Sequence, residues 1–144
     1  MKFLFFTIIS LMTFSYLFSD KINVDPLRAK DLKEEGLKVA FDWLNSVDNQ
    51  KYDKSYDQSG LYFKSNIPRY KWLSLIDKIK TSLGKVDLRV LIDVQYKNKI
   101  PKMPDGEYVL IRFVTDFEKK NKVYESLTLS VENNGIKVIG YLIK

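Results

Sequence analysis

The order of periodicities along the chain predicts an α+β fold: N-terminal helices packed on a curved antiparallel four-stranded meander. Three observations carry this. Apolar residues recur at helical spacing from about residue 26 to 83. From residue 85 onward the period switches to two, in four separate stretches. Short turn signals join the last of those stretches, so successive strands pair as neighbours. Helices first and strands after place the helices over one face of the sheet.

The first helix is expected over residues 26 to 48. Asp25-Pro26 reads as an N-cap with proline in the first turn, and Leu37, Ala40, Phe41, Leu44 and Val47 form its apolar stripe. Trp43 widens that stripe as a core residue, and Gly36 interrupts it. A short helix over about 52 to 59, a turn at Gly60 and one more short helical turn follow. Tyr52, Tyr56, Tyr62 and Phe63 would pack beneath the first helix. After Ile67-Pro68 a further helix runs to Leu83, with Trp72, Ile76, Ile79 and Leu83 as its buried stripe. Gly84 is placed to cap its C-terminus.

The strands are expected at 85 to 96, 107 to 117, 122 to 132 and 136 to 143. Asn133-Asn134-Gly135 supplies a tight hairpin, since Asn and Gly accept positive φ. Residues 118 to 121 supply another. The loop KNKIPKMPDGE before the second strand is stiffened by Pro101 and Pro104 and turns at Asp105-Gly106; it reads as a structural turn or a recognition loop.

At 144 residues this is one domain, with 45 % hydrophobic, 14 % aromatic and 29 % charged residues, a globular composition. It has no cysteine and no histidine. That excludes a Cys nucleophile, a disulfide framework, Ser-His-Asp chemistry and a His- or Cys-ligated zinc. No Asp-rich loop is spaced for a hard cation, and no cofactor is called for. The net charge of +6 is spread through mixed runs, and no nucleic-acid motif is present.

The N-terminus, MKFLFFTIISLMTFSYLFSD, has one lysine before an apolar and hydroxyl stretch from Phe3 to Ser19. It reads as a secretory signal peptide over residues 1 to 19, cleaved after Ser19 or, as second choice, after Ser15. The alternative is an uncleaved anchor, for which the stretch is slightly short. The remaining domain, 20 to 144, is then periplasmic or extracellular, with no membrane span after cleavage.

The residues Trp43-Leu44, Val47-Asp48, Tyr52, Ser55-Tyr56, Phe63-Lys64, Trp72, Leu83-Gly84 and Arg89 continue with Pro101, Pro104-Asp105-Gly106-Glu107-Tyr108, Phe113, Thr115 and Phe117. Glu125-Ser126-Leu127-Thr128 and Gly140-Tyr141 complete the series. In this order they resemble the bacterial domain-of-unknown-function family numbered 4019, over nearly the whole exported chain. The sequence departs from that pattern at Tyr56 and Ile136, where the family usually has Trp, and at Lys102, where it usually has Gly. The resemblance implies an exported α+β domain similar to the nuclear transport factor 2-like or cystatin-like folds. It implies no activity.

One residue breaks the binary pattern. In VYESLTLSVENNG, Val123, Leu127, Leu129 and Val131 share a face, and Glu125 falls among them. Ionised and unpaired there, it would cost several kcal/mol or stay protonated. A turn centred on residue 120 sets Phe117 opposite Val123, Thr115 opposite Glu125 and Phe113 opposite Leu127. The Asn-Gly hairpin sets Glu125 opposite Leu142 and Leu127 opposite Gly140. In the first strand Val86, Leu88, Val90, Ile92 and Val94 are all apolar, which would turn them to the helices and Arg89 away. A register shift of one residue reverses this. A bulge would let Arg89 point inward with Ile92 and Val94 still buried.

Arg89, Thr115 and Glu125 are all positions of the pattern by which the sequence resembles that family, and on this ground the cluster expected is Glu125 held by Arg89, with the Thr115 hydroxyl completing its hydrogen bonds. It reads as a structural ion pair, as the floor of a ligand pocket between helices and sheet, or as a general base beside Tyr56 or Tyr62. A second candidate surface is the other sheet face, where Tyr124, Tyr141, Arg112, Ile139 and Ile143 are expected together, as a partner or homodimer interface. The reading is an exported non-enzymatic binding domain for a small ligand or a protein.

Overall fold

The structure, a computed structural model, describes residues 24–144. The expected signal segment lies outside the described residues. Four helices, α1 (Pro26–Asp48), α2 (Tyr52–Gln58), α3 (Leu61–Asn66) and α4 (Arg69–Leu83), precede four strands. These are β1 (Val86–Lys97), β2 (Tyr108–Phe117), β3 (Lys120–Glu132) and β4 (Gly135–Ile143). The sheet is antiparallel throughout, in the order β1-β2-β3-β4. The fold is α+β, as the order of periodicities predicts.

Helix α1 starts where Asp25 accepts a hydrogen bond from the Leu27 amide at 2.9 Å, ahead of Pro26. It buries Leu32, Ala40, Trp43, Leu44 and Val47 against the sheet. Gly36, the interruption in the stripe, is a point of contact. A Cβ there would lie 3.0–3.2 Å from all three side-chain carbons of Val109, so a larger residue would need the helix or Val109 to give by a few tenths of an ångström. Gly84 ends α4 with φ 79, the cap expected.

An aromatic cluster joins the helices. Trp43 packs 5.5 Å from Trp72 and 6.4 Å from Phe63 between ring centroids. Both indole N–H groups are spent locally: Trp43 donates to the Ser55 carbonyl and the Ser59 hydroxyl, and Trp72 to the Ser55 hydroxyl. Tyr56 is buried beside them and donates to the Ile67 carbonyl at 2.9 Å. Tyr62 does not pack beneath α1; it is exposed on α3.

The expected strand pairings need three corrections. Between β2 and β3 the turn is tighter than one centred on residue 120. Phe113, not Thr115, faces Glu125, and Thr115 faces Val123. The slip is two residues, so no side chain changes face. Between β3 and β4 Glu125 faces Ile143 and Leu127 faces Tyr141. Here a bulge between Thr128 and Leu129, with Ile139 as the extra residue opposite, reverses the parity of the end of β4. Tyr141 and Ile143 therefore turn inward, not outward with Tyr124, and Ile139 itself is buried.

In β1 the bulges lie between Val86 and Leu88 and between Leu91 and Asp93. Val86, before the first bulge, packs beside Phe117; between the two bulges the odd side of the strand, including Arg89, faces inward; after the second the even residues Val94 and Tyr96 pack on the core. Leu88, Val90 and Ile92 are consequently exposed on the outer face, contrary to the even-face expectation. The two edges of the sheet differ. The Gly60 amide donates to the Val138 carbonyl and covers part of β4, whereas no described residue pairs along the outer edge of β1.

Candidate functional site

Glu125 has no solvent exposure. β3 places it on the inner face, opposite Phe113 on one side and Ile143 on the other. The bulge in β1 turns Arg89 toward it. Arg89 Nε donates to Oε1 at 2.8 Å and Nη2 to Oε2 at 3.2 Å. The Thr115 hydroxyl donates to Oε1 and the Tyr141 hydroxyl to Oε2. Four donors thus occupy the two oxygens, which together offer about four lone-pair sites.

Asp48, the last residue of α1, receives the far side of the same guanidinium. Arg89 Nη1 donates to Oδ2 at 2.6 Å and Nη2 to Oδ1 at 3.2 Å. Lys80 from α4 donates to Oδ1 at 2.8 Å and lies 4.5 Å from the centroid of the Phe117 ring. The chain of charges is Lys80, Asp48, Arg89, Glu125: two cations alternating with two anions. No side-chain nitrogen or oxygen buried among the described residues lacks a partner.

Electrostatics follow from this alternation. Burial pushes the Asp48 carboxyl up, but hydrogen bonds and charge from Arg89 and Lys80 outweigh it and hold the group below the usual range. Burial also disfavours charged Arg89, and its two carboxylates reverse that, so it stays protonated at any working pH. Burial and the neighbouring Glu125 carboxylate push the Tyr141 hydroxyl well above its usual value.

The expected triad of Glu125, Arg89 and Thr115 is therefore one contact group. Its other members, Tyr141, Asp48 and Lys80, were not anticipated in it. Lys80 was legible: it lies four residues after Ile76 and three before Leu83, on the buried stripe of α4. Tyr56 and Tyr62 do not reach the cluster. The Tyr56 hydroxyl is spent on α3 and its end, and Tyr62 lines a surface pocket of about 340 Å³ with Met103, Tyr108 and Ile139. A second pocket of about 290 Å³ opens over Asp48 and Lys80, between Lys85 and Lys119. Of the expected outer-face group, Tyr124 and Arg112 are exposed there, Arg112 paired with Asp93 at 2.9 Å. Tyr141 and Ile139 are not, for the reason of the β3–β4 bulge.

A family model described as a protein of unknown function, DUF4019, matches residues 39–141, most of the chain. The chain belongs to the DUF4019 family. The match runs from the second half of α1 to Tyr141, so every member of the charged cluster lies within it. No curated protein matches the chain. No described helix is long and apolar enough to cross a membrane.

Both oxygens of Glu125 are engaged by four donors and the residue has no exposed surface. What Arg89 does is tie the end of α1 to the centre of the sheet, while Lys80 ties α4 to the same carboxylate of Asp48.

Proposed function

We propose that this DUF4019 chain is an exported, non-enzymatic binding domain that meets a protein partner through the outer face of its sheet. One observation carries the reading. On that face, which the four described helices leave uncovered, Leu88, Val90, Ile92, Tyr124 and Leu142 are 55, 48, 49, 56 and 50 % exposed. Side chains of this kind, gathered and rimmed by polar residues, mark interaction sites. The signal-like N-terminus supports an address outside the cytoplasm, where the domain would work without thiol or histidine chemistry.

The test is site-specific photocrosslinking in cells that make the chain. A photoreactive residue in place of Tyr124 should give a discrete adduct, and one in place of Lys38, exposed on α1, should not. No adduct from either position, or equal adducts from both, would sink the reading.

A small-ligand reading has a separate address, the pocket of about 340 Å³ beside Tyr62. It is favoured only if native mass spectrometry shows a copurifying small molecule that Tyr62→Ala releases.

A further inference from the structure

The exposed apolar residues of the outer face form one band. Val90, Val114 and Tyr124 are side by side across β1, β2 and β3. Leu142 lies on β4 opposite Ser126, two residues along β3 from Tyr124, and Leu88 and Ile92 flank Val90 on β1. The band therefore crosses all four strands. Its exposed part is roughly 500 Å² of apolar surface, at the upper end of what a monomer leaves bare, and with its polar rim it approaches the ~800 Å² per partner of a standard interface.

Charge says what kind of partner fits. The band is bounded on one side by the Asp93–Arg112 ion pair and on the other by Asp116 and Lys122. Both signs are present at both margins. Such a rim selects neither a strongly acidic nor a strongly basic partner. It does match its own copy, because a two-fold axis can set each margin against an opposite charge. The lysine-rich remainder of the surface is then left in water. A twisted sheet also has the shape for this: two such faces pack aligned, about 10 Å apart, with their side chains interleaved.

We infer that the outer face binds a second copy of this chain, the two sheets packing face to face about a two-fold axis. This rests on the outer-face reading above and names its partner. Pairing of two open β1 edges is a different arrangement; it would leave Tyr124 and Leu142, on β3 and β4, uncovered.

The experiment is sedimentation equilibrium of the chain in the form in which cells accumulate it, from about 1 to 200 µM, since a homodimer must follow mass action. The expected result is a mass that rises toward twice the monomer. Tyr124→Glu and, independently, Val90→Lys should each raise the dissociation constant at least about tenfold with unchanged circular dichroism. Lys38→Glu, on α1, should not. A wild-type mass that stays monomeric overturns the inference. So does a dimer indifferent to both substitutions, which would point to the β1 edge or another surface.

The same samples separate the two levels of the argument. A monomer that binds an anilinonaphthalene dye, and loses that binding in Tyr124→Glu, has an outer face made for some other partner. A monomer that binds no dye has no interaction face there, and both readings fall.

Discussion

One guanidinium, that of Arg89, lies 2.8 Å from Glu125 and 2.6 Å from Asp48. Beside the apolar packing of Leu44 and Val47, it ion-pairs the inner face of the sheet with the end of α1. Removing it would leave two carboxylates behind, one of them fully buried. Breaking a buried pair from one side typically costs about 3–5 kcal/mol. Arg89→Ala should therefore lose stability of that order in urea unfolding followed by circular dichroism. Arg89→Met with Glu125→Leu should recover much of the loss, because no buried charge then lacks its partner and Asp48 keeps Lys80. A double variant no more stable than the single would mean that the network is worth more than its packing.

Asp48 gives the pH dependence its sign. Its carboxyl is held below the usual range by Arg89 and Lys80, against burial. A depressed carboxyl contributes stability that is fully present above its unfolded value, about 3.9, and is lost as pH falls through the folded value. Tyr141 is shifted the other way, so its contribution is present below about pH 10 and is lost as pH rises above that. Stability from these two groups should be level between those limits and fall at both ends. Asp48→Asn should remove the acid-side slope and Tyr141→Phe the alkaline one, each read from unfolding midpoints across pH. Slopes unchanged by either substitution would move the cause to other groups.

How much of this was legible follows from parity. Helices and strands announce themselves by period, and the anomaly of Glu125 on an apolar face pointed correctly to a buried partner. Arg89 could be chosen because it belongs with Thr115 and Glu125 to the pattern of the family the sequence resembles, and a β1 bulge would turn it inward with Val94 still buried. Where that bulge lies was not readable. It falls one residue too late for Ile92 to be buried, while Leu88 and Val90 face outward because Arg89 between them faces inward; the exposure of all three creates the outer-face band. The β3–β4 bulge was equally silent. An Asn-Gly turn fixes register only up to the next extra residue, and Ile139 is that residue. Tyr141 thus moved from the outer face to the Glu125 carboxylate. Asp48 was hidden by its position at a helix end, where a carboxylate usually meets water.

Lys102 holds a left-handed conformation, φ 65, in the turn before β2. Lysine pays a backbone strain there that glycine does not. Lys102→Gly should raise stability by up to about 1 kcal/mol, the strain relief being partly offset by the freer unfolded chain. Lys102→Val should lower it. A thermal melt of the three proteins checks the order Gly above Lys above Val.

Gly36 tests the helix–sheet spacing. In a solvent-facing helix, replacing glycine with alanine gains about 1 kcal/mol. Here the new methyl would meet Val109 at 3.0–3.2 Å, on the inner face of β2 and with no flexible end to move aside. Gly36→Ala should therefore be neutral or mildly destabilising, its propensity gain spent on the contact. Gly36→Val adds two more methyl groups at the same place and should cost about 1–3 kcal/mol, the range for overpacked cores. The control is Glu34→Ala, two residues away and exposed, which should change stability by less than about 0.5 kcal/mol. If Gly36→Ala instead stabilises the fold by its full helical gain, α1 has room to lift from the sheet. In that case its distance from β2 is set at the Asp48–Arg89 end and not by this glycine.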